Sequence, residues 1–153
     1  EEAVNEAIKT FALNSNKESQ TAHLKIFGGQ NFNTEGAQFL QTEFGLTADI
    51  AAHLHEAYGD QAPCVAALAK QNLGARLHLE HPYIEAEVIY AVRCELALRA
   101  NDVLTRRLAL ALLDNEAAKA VRARVVDLMA QELAWDAARC QWEMREESIE
   151  ESF

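Results

Sequence analysis

From Pro82 to Leu113 the sequence reads as two helices with almost no polar face, and that leaves few folds open. At about 100° per residue, Ile84, Val88, Ile89, Ala91, Val92 and Leu96 cover more than half of a helix spanning Pro82–Leu98. Tyr83, Glu87, Tyr90 and Cys94 make up its remaining stripe. A second helix, capped by Asn101 or Asp102 and ending near Leu113, carries Val103, Leu104, Leu108, Leu110 and Leu112. A helix that is apolar nearly all round belongs in the middle of a protein. Yet Glu85, Glu87, Glu95, Arg106 and Arg107 lie in this stretch. A buried charge is costly unless paired, and deleting one partner typically costs ~3–5 kcal/mol. The short connection at 98–102 makes the two helices neighbours. Arg106 or Arg107 is therefore expected to meet Glu87 or Glu95, with the five residues forming a structural ion-pair network. Glu85, in a first helical turn, is also favoured by the helix dipole. The competing idea is a small enzyme using Glu85, Glu87 and Arg107. Catalytic carboxylates must face a common cavity, whereas Glu85 and Glu87 point about 160° apart on a helix. No catalytic residue is assigned.

The rest of the chain is equally helical in character. It has 153 residues, enough for one cored domain, with only 6 Gly and 2 Pro. The spacing predicts a first helix over Glu2–Ala12 and a linker over 14–30 ending in Gly28-Gly29. Thr34 is placed to cap a helix ending at Phe44, and Gly45 to stop it. Thr47 and Gly59 bracket the next, and Asp60 caps a third reaching Gln71. Residues 72–80 read as loop, with RLHLE as a short extended piece. Pro82 fits the first turn of a helix. Asp114 or Asn115 caps a long helix through Leu133, and Asp136 a last one that turns acidic and frays in EMREESIEESF. The expected fold is all-α: a single, bundle-like domain of about eight helices with a long N-terminal linker.

Composition removes several functions. Lys and Arg number 14 against 24 Asp and Glu, a net charge of −10, which repels phosphate backbones. No nucleic-acid partner is expected. Cys64, Cys94 and Cys140 are far apart, odd in number and without C-x-x-C, so neither a disulfide framework nor a zinc site is read. His53 and His55 are two apart and cannot form an i, i+4 metal clamp; His23, His78 and His81 add no ligand motif. No phosphate-binding glycine loop and no G-x-S-x-G elbow occurs. No apolar run approaches the ~20 residues of a membrane helix. EEAVNEAIKTF is acidic, unlike a signal or transit peptide, and reads as the interior of a helix.

One set of motifs says more. PYIEAEVIY, followed by Glu95, Asp102 and Arg106-Arg107, resembles the C-terminal region of FAD-dependent glycerol-3-phosphate dehydrogenases and glycerophosphate oxidases. EEAVNEAI resembles the last helix of that family's flavin domain, and TAHLKIFGG its linker. FGLTADIAAHLHEAYGD and ELAWD (Glu132 to Asp136) resemble later helices. The chain departs from the family at Ser19, where cysteine is common, at Phe32, near a usual tryptophan, and at Leu108-Ala109. It also lacks a calcium-loop pattern at its end. The resemblance implies that residues 1–30 are the end of a flavin domain and its linker, and 31–153 a C-terminal helical domain. It implies a full-length enzyme that converts glycerol 3-phosphate to dihydroxyacetone phosphate, passing electrons through FAD to quinone. The implied partners are the N-terminal flavin domain and the quinone pool, with room for a homodimer. No cofactor is expected on this chain, which would be inactive alone. The implied location is peripheral on the mitochondrial inner membrane, or on the cytoplasmic membrane of a bacterium. A free-standing helical protein-interaction module is the alternative.

Overall fold

The structure, a computed structural model, describes residues 2–14 and 20–145. Its α-helices are α1 (Glu2–Thr10), α2 (Gly36–Phe44), α3 (Ala48–Tyr58), α4 (Ala62–Leu68), α5 (Glu85–Glu95), α6 (Leu110–Leu113), α7 (Asn115–Leu133) and α8 (Ala137–Glu143). Among the described residues there is no β-strand; one antiparallel bridge pairs Arg76 with Ile84. The domain is all-α.

Helix α5 organises everything else. Seven consecutive residues, Glu85 to Ala91, are buried. Ile84, Ala86 and Tyr90 join a core with Leu40, Ile50, Leu54 and Val65 from α2, α3 and α4. Val88, Ile89 and Ala91 join a second core with Leu104, Leu110, Val121, Val125 and Met129. The helix thus separates two apolar clusters and faces one on each side, as its all-round apolar sequence requires.

The caps follow local chemistry. Gly45 takes the left-handed conformation (φ 69°) that ends α2, and Thr47 opens α3 in an extended conformation. Asp114 and Asp136 accept the amides of Ala117 and Arg139 at the starts of α7 and α8. Four expectations change. Pro82 lies outside α5, because the N-cap is the extended Ile84 (φ −120°, ψ 159°). Asp60 caps no helix, since a 3₁₀ turn, Gly59–Gln61, joins α3 to α4. The segment from 102 to 113 is broken: a wide π-helical turn, Asp102–Arg107, gives way at Ala109 (φ 54°) to the short α6. The expected N-terminal linker also fails. The chain begins with a helix, and residues 28–31 are fastened to the α3–α4 junction by Asp60 N–H to the Gly28 carbonyl (2.8 Å) and Asn31 N–H to the Asp60 carboxylate (2.8 Å). Buried main-chain groups need partners, and this segment finds its own on the domain. The acidic end from residue 146 onward lies outside the described residues.

Gly59 (φ 57°) sits so close to Gly28 that a Cβ would drive into the Gly28 carbonyl, whereas Gly45 faces open space. Gly59→Ala should therefore cost ~3 kcal/mol or more, from strain and overpacking of roughly 1–3 kcal/mol each. Gly45→Ala should cost only about 1–2 kcal/mol, the left-handed penalty. Urea unfolding midpoints of the two variants check the order.

Candidate functional site

The charged residues of α5 are candidates for chemistry because they are buried. Glu87 is fully buried. Its Oε1 accepts the amide of Ile84 (2.8 Å), three residues earlier. Its Oε2 accepts the Tyr58 hydroxyl (3.0 Å) and lies 2.8 Å from His53 Nε2. Both donors come from α3, one helical turn and a residue apart. The Glu87 carboxylate thus joins α3 to the start of α5 through three contacts, and no side of it is left for a substrate. Burial, reinforced by the Glu87 carboxylate, pushes the Tyr58 hydroxyl far above the usual tyrosine range. Burial likewise pushes Tyr90 up to about 12 and raises Tyr83.

An aromatic and imidazole chain continues outward from this carboxylate. The His53 ring meets Tyr83 edge-on at 4.8 Å, and Tyr83 stacks on His81 at 6.0 Å. His81 Nε2 lies 3.0 Å from the Asp114 carboxylate, the cap of α7. The Ala117 amide first, then His81, hold Asp114 below the usual carboxylate range. On the other side Tyr58 meets Tyr90 edge-on at 5.3 Å.

Glu85 points elsewhere. Its two oxygens take a forked contact from Arg124 of α7, at 2.7 and 3.0 Å. Arg93, near the end of α5, makes the matching fork to Glu132 of α7, at 2.6 and 2.8 Å. Both pairs span 39 residues of sequence, so α5 and α7 run parallel in one register with a charged clasp at each end. The clasps are of opposite sense, acid to base and then base to acid. Arg107 turns to the end of α5: its Nη2 and Nε reach the Glu95 carbonyl (2.6 and 3.2 Å), with the Glu95 carboxylate 3.5 Å away. Partial burial raises Glu95, and Arg107 opposes that rise. Arg106 pairs with Asp102 at 2.7 Å, one turn away on the surface.

The five residues singled out from sequence divide among different partners. Glu95 and Arg107 meet; Glu85, Glu87 and Arg106 each have partners that sequence reasoning missed. Glu85, Glu87 and Arg107 turn to three different places, α7, α3 and the end of α5. The missed partners, His53, Tyr58 and Arg124, lie 29 to 39 residues from their acids, beyond the reach of helical spacing. Among the described residues no three His, Cys, Asp or Glu side chains gather to hold a metal, and no helix is long and apolar enough to cross a membrane.

The chain also has clear similarities to known proteins. Residues 19–140 match the family described as the C-terminal domain of alpha-glycerophosphate oxidase. The probable mitochondrial glycerol-3-phosphate dehydrogenase of Dictyostelium discoideum is 40% identical over 126 residues, covering 82% of this chain and 20% of that protein. The probable mitochondrial glycerol-3-phosphate dehydrogenase of Caenorhabditis elegans is 39% identical over 144 residues, 90% of this chain and 20% of the relative. The mitochondrial glycerol-3-phosphate dehydrogenase of Homo sapiens is 39% identical over 142 residues, 89% of this chain and 19% of the relative. The chain spans about a fifth of the length of these relatives.

Two outcomes follow from the geometry. Glu87→Ala strands two side-chain donors and a buried amide and should cost ~3–5 kcal/mol. Tyr58→Phe should cost ~1.5–3 kcal/mol. Arg106→Ala, at an exposed pair, should cost less than about 1 kcal/mol; equilibrium unfolding measures all three. In alkali, the raised tyrosines favour the neutral form when folded. Their stabilisation is complete below the ordinary value of 10.0 and is lost as pH climbs through the folded values. Tyrosinate absorbance should lag behind that of the unfolded chain near pH 10 and rise together with loss of helical circular dichroism.

Proposed function

This chain belongs to the family of the C-terminal domain of alpha-glycerophosphate oxidase, and from that premise we propose that it is the helical C-terminal part of a longer flavoenzyme. The whole enzyme would oxidise glycerol 3-phosphate to dihydroxyacetone phosphate, with FAD accepting the electrons and passing them to quinone. Residues 1–30 would then be the end of the flavin domain and its linker, and 31–153 the helical domain. The names of the relatives say mitochondrial; the enzyme's place in this reading would be peripheral on the mitochondrial inner membrane, or on the cytoplasmic membrane of a bacterial source.

The described residues do not fit FAD. A dinucleotide's pyrophosphate is usually cradled by a glycine-rich turn between strand and helix, and these residues form no strand. The charged side chains of α5 are already occupied by protein partners. In this reading the flavin sits in the part of the enzyme outside this chain, and no chemical step is assigned to Glu85, Glu87, Glu95, Arg106 or Arg107. Their role in this reading is to hold a rigid body together. The observation that carries the reading is the match over 19–140, taken with a fold in which every acid and base once suspected of chemistry has a structural partner.

Purified alone, the 153-residue chain should be colourless and should not reduce an artificial acceptor with glycerol 3-phosphate. The full-length protein should be yellow and should do so. Stoichiometric flavin on the chain alone, or a full-length protein inert towards glycerol 3-phosphate, would overturn the reading.

A further inference from the structure

Helix α8 is fastened by charge more than by apolar burial. Of its residues, Ala137 to Glu143, the one that is buried is Glu143, a carboxylate. Cys140 is half-buried against the core that α5 shares with α7, and Trp142 is 37% exposed. A segment that buries little apolar surface gains little from the hydrophobic effect, and such segments open first in a native protein.

The polar contacts of α8 converge on one short stretch, residues 97–101, which connects α5 to the π-helical turn. Glu143 Oε2 accepts the Ala100 amide (3.0 Å), and Arg139 Nη2 donates to the Leu98 carbonyl (3.3 Å). Arg122 of α7 donates to the Glu143 carbonyl (3.0 Å) and to the Asn101 side chain (2.6 Å). The guanidiniums of Arg99 and Arg139 lie over the Trp142 ring at 4.3 and 4.5 Å, a placement that the ring face attracts. The fastening is imperfect. Glu143 Oε1 lies 2.6 Å from Arg139 Nη2 and 4.0 Å from Arg99 Nε, yet takes no aligned hydrogen bond among the described residues, and Arg139 Nε is buried without one. Buried polar atoms in that condition weaken the closed arrangement.

We infer that α8 is a strap with Glu143 as its catch. It closes over the 97–101 connection and opens as a unit, while the α5–α7 clasps and both apolar cores stay folded. Release returns the Glu143 carboxylate and the guanidiniums facing it to water, which offsets much of the attraction lost, and few apolar contacts break. It frees the Ala100 amide and the Leu98 carbonyl and uncovers Cys140. The inference stands apart from the proposed function, since it uses only contacts within this chain.

The test uses the full-length protein in low urea, followed by hydrogen exchange and by maleimide labelling of Cys140, both read by peptide mass spectrometry. The 97–101 amides and the Cys140 thiol should open about tenfold or more often than the Val88 and Ile89 amides, and with a smaller urea dependence. Labelling of the unfolded protein in concentrated urea sets the unhindered rate. Glu143→Gln keeps the shape of the catch and removes its charge, and should speed Cys140 labelling about tenfold or more. Opening of 97–101 and Cys140 at the rate and urea dependence of Val88 would make α8 integral to the core and overturn the inference. Native labelling of Cys140 at the unhindered rate would also overturn it, because no strap would then cover the thiol. An unchanged Cys140 rate in a folded Glu143→Gln protein would remove Glu143 as the catch. The unsubstituted protein decides the point where the variant does not fold.

Discussion

Helix α5 has no face left for water from Glu85 to Ala91, and the rest of the domain is built to make that tolerable. Apolar burial on both sides supplies the driving force, at roughly 25 cal/mol per Å² of apolar surface. The same burial imposes a cost, because two carboxylates go inside with the helix. Each is offset locally. Glu87 collects an amide, a phenol and an imidazole; Glu85 collects a forked guanidinium. Removing the partners would leave the charges stranded, so the polar groups fix which helices may sit where, while the apolar surface fixes only that something must.

That division of labour explains how the two halves are joined. Glu87 ties α5 to α3, and the Glu85–Arg124 and Arg93–Glu132 forks tie it to α7. With a clasp at each end, α5 cannot slide along α7 without breaking both. The His53–Tyr83–His81–Asp114 succession adds a second route from α3 to the start of α7. Bracing of this kind holds the two halves of the domain in one arrangement.

Much of this was legible in the sequence. The all-round apolar pattern of Pro82–Leu98 already required a central helix, and Gly45, Thr47, Gly59, Asp114 and Asp136 mark boundaries through chemistry that acts within one turn. What was not legible depends on residues far apart. Arg107 was expected near Glu95 or Glu87 because the connection between their helices is short. The partners of Glu85 and Glu87 come from α7 and α3, which no spacing rule brings close. The break at Ala109 has no glycine or proline to announce it; an alanine at φ 54° is held there by its surroundings. Pro82 misled because its own preference for a helix start is local, whereas the true start is set by Glu87 reaching back to the Ile84 amide.

Native-state hydrogen exchange at the Ile84 amide tests the account most directly. This N–H is buried against Glu87 Oε1, where the apolar helix and its polar fastening meet. It should exchange only when the whole domain unfolds, with the same denaturant dependence as the amides of Val88 and Ile89. Exchange through a small local opening, shared with the 76–83 loop and independent of global stability, would show that Glu87 is not held as described.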